Sequence, residues 1–175
     1  MPEVGIRRLR ASGWPQLREL RLQALRDAPL AFGSTYQREA AHPDERWQQQ
    51  AKSAELGGEQ VAFVAVANDG SGDRHVGVAR GYLDAGDGPD HRPVVWLVGV
   101  YVDPRWRGRG LARGLSAEVI AWAQERGAGE VLLHVAEWNA TARRVYDSLG
   151  FTPTGATATL DHDATVSEAE MKLGL

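Results

Sequence analysis

The spacing of apolar and polar positions predicts an alternation of strands and helices. Residues 4–10 alternate enough for a first strand. Ser12 is a candidate N-cap for the helix that follows, and this helix ends before Pro29. Pro43 suits the first position of a second helix that runs to about residue 53. The apolar face of the first helix is formed by Leu17, Leu20, Leu22, Leu25 and Ala28.

The middle of the chain predicts a hairpin followed by an apolar strand. Residues 60–68 and 75–84 are rich in β-forming residues, and the polar segment 69–73 between them is typical of a hairpin turn. Residues 85–90 predict another turn. Residues 94–102 (VVWLVGVYV) form a continuous apolar run, which is typical of a strand buried on both faces.

A change of apolar period follows that strand. The helical face that begins at residue 110 contains Leu111, Leu115, Val119, Trp122 and Ala123. Residues 130–136 predict a short strand, residues 139–149 a helix ended by Gly150, and residues from 151 to about 173 the last strand region. The alternation favours a βαβ core with a parallel pair of strands.

The composition indicates one globular domain over residues 1–175. Hydrophobic residues make up 43% of the chain and charged residues 25%, which are ordinary values for a folded domain. The sequence contains no cysteine, which excludes a disulfide framework, a thiolate metal cluster and a cysteine nucleophile. No signal peptide is apparent and no apolar run approaches the roughly 18 residues that span a bilayer, so a cytoplasmic protein with no membrane partner is expected.

The charge is small overall but unevenly placed. The formal net charge of −3 argues against a nucleic-acid partner. A local anion site is nevertheless indicated by four arginines within nine residues, which are Arg105, Arg107, Arg109 and Arg113.

The first candidate site is the turn between the apolar strand and the next helix. A helix that begins near Gly110 directs unpaired backbone N–H groups and the positive end of its dipole toward the end of the strand. Gly108 and Gly110 leave these amides uncovered, so a pyrophosphate is a natural ligand. A tight turn solvated by arginines is the structural alternative. A dinucleotide fingerprint would need a glycine where Arg113 stands, and the Gly-Lys-Ser/Thr of a P-loop is absent.

The second candidate site lies on the helix after the short strand. Asn139, Ala142 and Tyr146 are three and four residues apart and therefore share one face, along which a thin polar ligand could lie. The structural alternative is an N-cap asparagine, a core tyrosine and a C-cap glycine at Gly150.

Taken together, the two segments resemble the GNAT superfamily of acetyl-CoA-dependent N-acetyltransferases. The stretch RWRGRG at 105–110 is similar to the family's acyl-CoA loop, and the pattern Asn139-x-x-Ala142-x-x-x-Tyr146-x-x-x-Gly150-Phe151 is similar to its second cofactor motif. The resemblance is strong over residues 94–151 and weak before residue 59. It implies an α/β fold with a mostly antiparallel twisted sheet of about seven strands, a splayed parallel pair at about 94–102 and 130–136, and about four helices.

The resemblance also implies a set of acetyl-CoA-binding residues. Val100 and Val102 would offer main-chain groups to the thioester and the pantetheine arm, the amides of residues 107–112 would bind the pyrophosphate, and Asn139 would bind the pantetheine. The full set is Val100, Tyr101, Val102, Arg107, Gly108, Arg109, Gly110, Leu111, Ala112, Asn139, Ala142 and Tyr146.

The implied reaction is direct attack of a neutral primary amine on the thioester through a tetrahedral intermediate. The Val100 N–H is the candidate oxyanion donor and Tyr146 the candidate general acid. The apolar strand carries no carboxylate to serve as base, although some family members have one there. Glu137 and His134 are the nearest candidates, and a water relay and a merely structural His134 remain alternatives.

The acceptor is expected to be a small-molecule amine bound between the first two helices. Candidate residues are Phe32, Ser34, Tyr36 and Glu39. A loop that only covers the core is the alternative. The histidines outside the short strand lack an i, i+4 ligand spacing, so no metal is expected. The competing functions are acetylation of a peptide or protein amine, a non-catalytic acetyl-CoA-binding module and, more weakly, a nucleic-acid binder. A homodimer is compatible with the family.

Overall fold

The computed structural model describes residues 2–87 and 91–175. Helices and strands alternate as the apolar pattern predicts. The strands are β1 Glu3–Arg8, β2 Gln60–Asn68, β3 Asp73–Asp84, β4 Val94–Val102, β5 Glu130–Ala136, β6 Thr152–Leu160 and β7 Asp163–Gly174. The helices are α1 Trp14–Asp27, α2 Tyr36–Ala40, α3 Asp44–Leu56, α4 Leu111–Glu125 and α5 Ala140–Ser148.

The strands form a seven-stranded mixed sheet in the order β1-β2-β3-β4-β5-β7-β6. Its pairs are antiparallel except β4 and β5, which are parallel. These two strands pair only from Val94 opposite Glu130 to Trp96 opposite Leu132. Beyond Trp96 they separate, which confirms the predicted fold class with its splayed parallel pair.

Helices cover both faces of the sheet. On one face, α4 packs Leu115, Val119 and Trp122 into a core with the inward side chains of β2 to β5. Gly81 of β3 allows this close approach, because a Cβ there would lie 2.8 Å from Cγ1 of Val119. On the other face, α1 and α3 pack on β2 and β3 around residues such as Leu20.

Three local predictions are corrected by the structure. Ser12 does not cap α1, since residues 11–13 form a 3-10 turn and Gly13 occupies the N-cap position. Pro43 is the N-cap of α3 and not its first helical residue. A fifth helix, α2, is added to the expected four, and its start is capped by Thr35, whose hydroxyl accepts the N–H of Arg38 at 3.3 Å. The turn predicted over 85–90 extends into residues 88–90, which lie outside the described residues.

The apolar strand β4 is not buried on both faces. Its side chains alternate between buried positions such as Val95 and Leu97 and partly exposed positions such as Trp96 and Val98, and the exposed face lines a cleft. Gly99 has a φ of +63° at a point where the register between β3 and β4 shifts. A glycine inside an apolar run is a signal for such a bulge. The bulge therefore reverses, at the cleft, the face of the sheet to which alternate side chains of β4 point.

Candidate active site

A cleft of about 910 Å³ lies where β4 and β5 separate. It is lined from one face of the sheet by the segment that connects α1 to α2, and from the other face by the start of α4 and one side of α5. The splayed strands therefore open a passage between the two helical layers.

The predicted acetyl-CoA-binding residues meet in this cleft with a single exception. Those that line it are Val100, Tyr101, Val102, Arg107, Gly108, Gly110, Leu111, Ala112, Asn139, Ala142 and Tyr146. The side chain of Arg109 lies over the ring of Trp106, with 4.7 Å between the guanidinium carbon and the ring centroid.

The N-terminus of α4 presents backbone donors to the cleft. Gly110 is the N-cap with a φ of +74°, and no side chain caps the helix. The first backbone bond of the helix runs from the Gly114 N–H to the Gly110 carbonyl at 2.9 Å. The N–H groups of Leu111, Ala112 and Arg113 precede this bond and so have no acceptor within the helix. Together with the helix dipole, they suit a phosphate group.

The side chain of Arg107 is used to hold the loop in place. Its Nε donates to the Val102 carbonyl at 2.9 Å, and its terminal nitrogen pairs with Asp27 of α1 at 2.9 Å. The Tyr101 hydroxyl donates to the same Asp27 carboxylate at 3.1 Å and accepts from Gln23 at 3.3 Å. Burial and the charge of Asp27 raise the pKa of Tyr101 to about 12. The loop is thus tied to α1, and the arginine charge expected at the anion site is partly neutralised.

Asp103 anchors the start of the same loop. Its carboxylate is 2% exposed, accepts the Arg105 N–H at 3.0 Å and pairs with the Arg105 guanidinium at 2.7 Å. These hydrogen bonds hold the pKa of Asp103 well below its ordinary value. Arg105 is therefore occupied by Asp103.

We expect Asp103→Asn to lower the free energy of unfolding at pH 7 by about 1 kcal/mol, a modest value because Arg105 is solvent-exposed. A carboxyl with a depressed folded pKa stabilises the protein above its unfolded pKa of about 3.9, and this contribution is lost as the pH falls. Denaturant unfolding of both proteins at pH 7 and pH 3 measures the difference. An equal loss at both pH values would contradict an electrostatic contribution.

Asn139 caps the N-terminus of α5, which is the structural alternative to a ligand contact given in the sequence analysis. Its Oδ1 accepts the Ala142 N–H at 3.1 Å and so caps α5. Asn139 also lines the cleft, and the cap leaves its side-chain N–H groups unused. The cap and the predicted contact with a ligand are therefore compatible.

Tyr146 is a buried side chain at the wall of the cleft. It is 8% exposed, and its ring packs edge-on against Phe151 with 5.9 Å between centroids. Burial raises the pKa of Tyr146 above its ordinary value. Among the residues that the structure describes, its hydroxyl has no hydrogen-bond partner. A protonated donor therefore stands at the cleft.

The predicted acceptor-binding residues divide into two pairs. Phe32 and Ser34 line the cleft. Tyr36 and Glu39 stand behind it, outside the described lining, where Glu39 pairs with Arg21 at 2.9 Å. Burial alone would raise the pKa of Glu39, but the hydrogen bond and charge of Arg21 lower it below its ordinary value.

The two candidate bases differ in position. Glu137 is exposed and is not part of the cleft lining, so far as the described residues show. His134 lines the cleft beside Trp96, with 5.1 Å between ring centroids. Its Nε2 lies 3.4 Å from a carboxylate oxygen of Glu170, and its Nδ1 lies 4.0 Å from Glu168.

Several residues of the cleft were not predicted from the sequence. They include Arg21, Arg80, Trp96, Gly99 and Glu168. Gly99 carried a usable signal, because a glycine within a strand indicates a bulge. The others lie on separate strands and helices, and no local spacing brings them together.

The described residues include neither a candidate metal site nor a helix suited to span a membrane. Within residues 2–87 and 91–175, no group of three or more His, Asp and Glu side chains is placed to hold a metal ion. No helix in the same residues has the length and apolar character needed to cross a bilayer.

Comparison with known proteins connects this geometry to acetyl transfer. Residues 14–151 match the model of the acetyltransferase (GNAT) family. The aminoglycoside N(6')-acetyltransferase type 1 of Salmonella typhimurium is 31% identical over 119 residues, which are 65% of this chain and 77% of that protein.

A second relative and a solved structure agree with this match. The mycothiol acetyltransferase of Thermobispora bispora is 45% identical over 69 residues, which are 39% of this chain but only 22% of that protein. A crystal structure of an aminoglycoside N-acetyltransferase in complex with CoA superposes with a TM-score of 0.66 at 26% identity, and the match covers 89% of this chain and 92% of that one.

Proposed function

Because the chain belongs to the GNAT family of acetyltransferases, we propose that it transfers the acetyl group of acetyl-CoA to a primary amine of a small molecule. It is an acyltransferase, and acetyl-CoA is its acetyl donor. The single observation that carries the proposal is that an uncapped helix N-terminus and a buried tyrosine lie in one cleft.

The residues of the cleft suit the parts of acetyl-CoA. The uncapped N-terminus of α4 suits the pyrophosphate, and the side-chain N–H groups of Asn139 suit the amides of the pantetheine arm. Acetyl-CoA supplies an activated thioester. The backbone of β4 at Val100, next to the bulge, lies along the passage between the two strands.

We assign the chemistry to direct attack of the neutral amine on the thioester carbonyl, through a tetrahedral intermediate. The C–N bond forms, the C–S bond breaks, and the amine proton passes to a base. The Val100 N–H is our candidate donor to the oxyanion, and Tyr146 is our candidate donor of a proton to the departing thiolate. A thiolate of ordinary pKa near 8.5 can also leave without this help.

His134 is the better placed of the two candidate bases. Both side chains are exposed, but His134 lines the cleft within 4.0 Å of two carboxylates, whereas Glu137 lies outside the described lining. Most alkylamines are protonated at neutral pH, so the base must accept a proton before or during the attack. A water relay is the alternative route.

The proposed function is tested by amine-dependent release of CoA. Purified protein is incubated with acetyl-CoA and a panel of polyamines, aminoglycosides, amino acids and short peptides, and mass spectrometry identifies the product. We expect one class of small amine to gain a single acetyl group. Acetylation of peptides alone would contradict the small-molecule acceptor. If acetyl-CoA raised the melting temperature but no amine released CoA, the proposal would give way to a binding module.

A further inference from the structure

The cleft contains an arginine that forms no ion pair with a carboxylate of the described residues. Arg80 of β3 lies opposite Val98 in the sheet and lines the cleft beside the bulge in β4. Its Nε lies 3.5 Å from the place where a side-chain Cβ at Gly99 would stand. In the described parts of the chain, no carboxylate oxygen lies within 4.0 Å of its guanidinium nitrogens. A partly buried cation thus stands at the bend of β4.

The nearest acid is already engaged by a second arginine. Both Nε and a terminal nitrogen of Arg21 donate to one oxygen of Glu39, at 3.3 Å and 2.9 Å. Arg21 also lies over the ring of Phe32, with 5.1 Å from the guanidinium carbon to the ring centroid. This cluster of Arg21, Glu39 and Arg80 has a formal charge of +1. Burial lowers the pKa of Arg80, and the charge of Arg21 lowers it further.

The Tyr82 ring, whose centroid lies 5.7 Å from the guanidinium carbon, compensates the charge of Arg80 only weakly, so a ligand carboxylate would stabilise this arrangement. Removing a charge from water without pairing it destabilises the folded protein, and buried cations are normally paired. The planar fork of a guanidinium matches the two oxygens of a carboxylate. The ion pair with Glu39 holds Arg21 in place, which leaves Arg80 as the group that a ligand can reach.

Building on the proposed acetyl transfer, we propose that Arg80 binds a carboxylate of the acceptor, so that the acceptor is a small amine that also carries a negative charge. The position of Arg80 beside Gly99 puts this carboxylate close to Val100, where the acetyl group is transferred in our mechanism. Amine and carboxylate therefore belong to one short molecule.

Arginines also outnumber acids along the cleft as a whole, although Arg107 is paired with Asp27. The charged lining of the cleft consists of Arg21, Arg80, Arg107, Arg113 and Glu168. A polycationic acceptor would be repelled by Arg80 at the end of the cleft where we expect the acceptor to bind. The proposed acceptor therefore differs from the aminoglycosides that the names of the aminoglycoside-acetylating relatives give as acceptors.

The test compares pairs of acceptors that differ only in the carboxylate. Aliphatic ω-amino acids are paired with their carboxamides, with at least three carbons between amine and carboxyl so that the two amines have nearly equal pKa values. We expect kcat/KM to be at least about tenfold higher for the acids, since a bidentate hydrogen bond to a charged group contributes this much. Arg80→Gln should abolish the preference, and Arg80→Lys should keep part of it.

Controls separate binding from folding. Arg7 of β1 forms an exposed ion pair with Asp73 at 3.1 Å, away from the cleft, so Arg7→Gln should leave the preference unchanged. Arg80→Gln removes a desolvated charge and should melt at the same temperature as the parent protein or higher. Acetyl-CoA should raise the melting temperature of both variants.

The outcomes distinguish this inference from the proposed function. Turnover of carboxamides or simple alkylamines at rates equal to the acids, or a preference that survives in Arg80→Gln, would overturn the role of Arg80 and leave acetyl transfer intact. Absence of CoA release with every amine, charged or neutral, would overturn both.

Discussion

Replacing Gly110 by glutamate is expected to raise the KM for acetyl-CoA on the order of 10²-fold, because several charge-assisted hydrogen bonds are lost and a repulsion is added. Gly110 lines the cleft as the N-cap of α4, where the free amides and the helix dipole favour an anion. A carboxylate placed there competes with the pyrophosphate. Steady-state kinetics at saturating amine, together with calorimetric titration of CoA, measures the effect.

A matched control exists at the other end of the same helix. Gly127 has a φ of +72°, close to the +74° of Gly110, and a Cβ at either position would have no heavy atom within 4 Å apart from those of the adjacent residues. Glutamate strains the backbone equally at both, by about 1 kcal/mol. Gly127→Glu should therefore leave the KM for acetyl-CoA unchanged, and Gly110→Gln should show an intermediate loss. Equal losses in the two glutamate variants would mean that strain and not charge is responsible.

Removing the hydroxyl of Tyr146 is expected to lower kcat by no more than about 10²-fold, with little change in acetyl-CoA binding. Because burial raises the pKa of Tyr146, its hydroxyl stays protonated at every pH up to at least its ordinary value of about 10 and can donate to the thiolate. The effect is limited because a thiol is the stronger acid of the two, so the thiolate can leave unaided.

The measurement is kcat for Tyr146→Phe across the pH range in which the protein is folded. The phenylalanine keeps the edge-on packing against Phe151, so the increase in melting temperature on addition of acetyl-CoA should match that of the parent protein. Full turnover in this variant would remove Tyr146 from the mechanism without affecting the membership in the family.

The elements that could be predicted from the sequence are those set by local patterns. Strands β2, β4 and β5 have the predicted bounds because apolar runs end at polar residues or glycine. Short motifs also predicted the start of α4 and the residues that share the cleft-facing side of α5. The five-residue helix α2 was not, since so short a helix depends on tertiary contacts such as Arg26 over Tyr36.

The electrostatics of the site could not be predicted, because its charge pairs are distant in sequence. Arg107 and Asp27 are 80 positions apart, and Arg21 and Glu39 meet only through the folding of α2 onto α1. The run of arginines from 105 to 113 therefore indicated more free charge than the loop has. Conversely, Arg80 lies in an ordinary strand pattern, and only the assembled sheet shows that it forms no ion pair with the carboxylates of the described residues.

The separation of β4 from β5 gives the cleft two sides, one on each face of the sheet. The donor is expected to contact α4 and α5 on one face of the sheet, whereas the acceptor side is formed by the segment between α1 and α2 and by β3 on the other face. Because the same gap joins both, changes in the α1–α2 segment can redirect the enzyme to another amine without altering its use of acetyl-CoA. The architecture therefore allows acceptor specificity to diverge while the donor site stays constant.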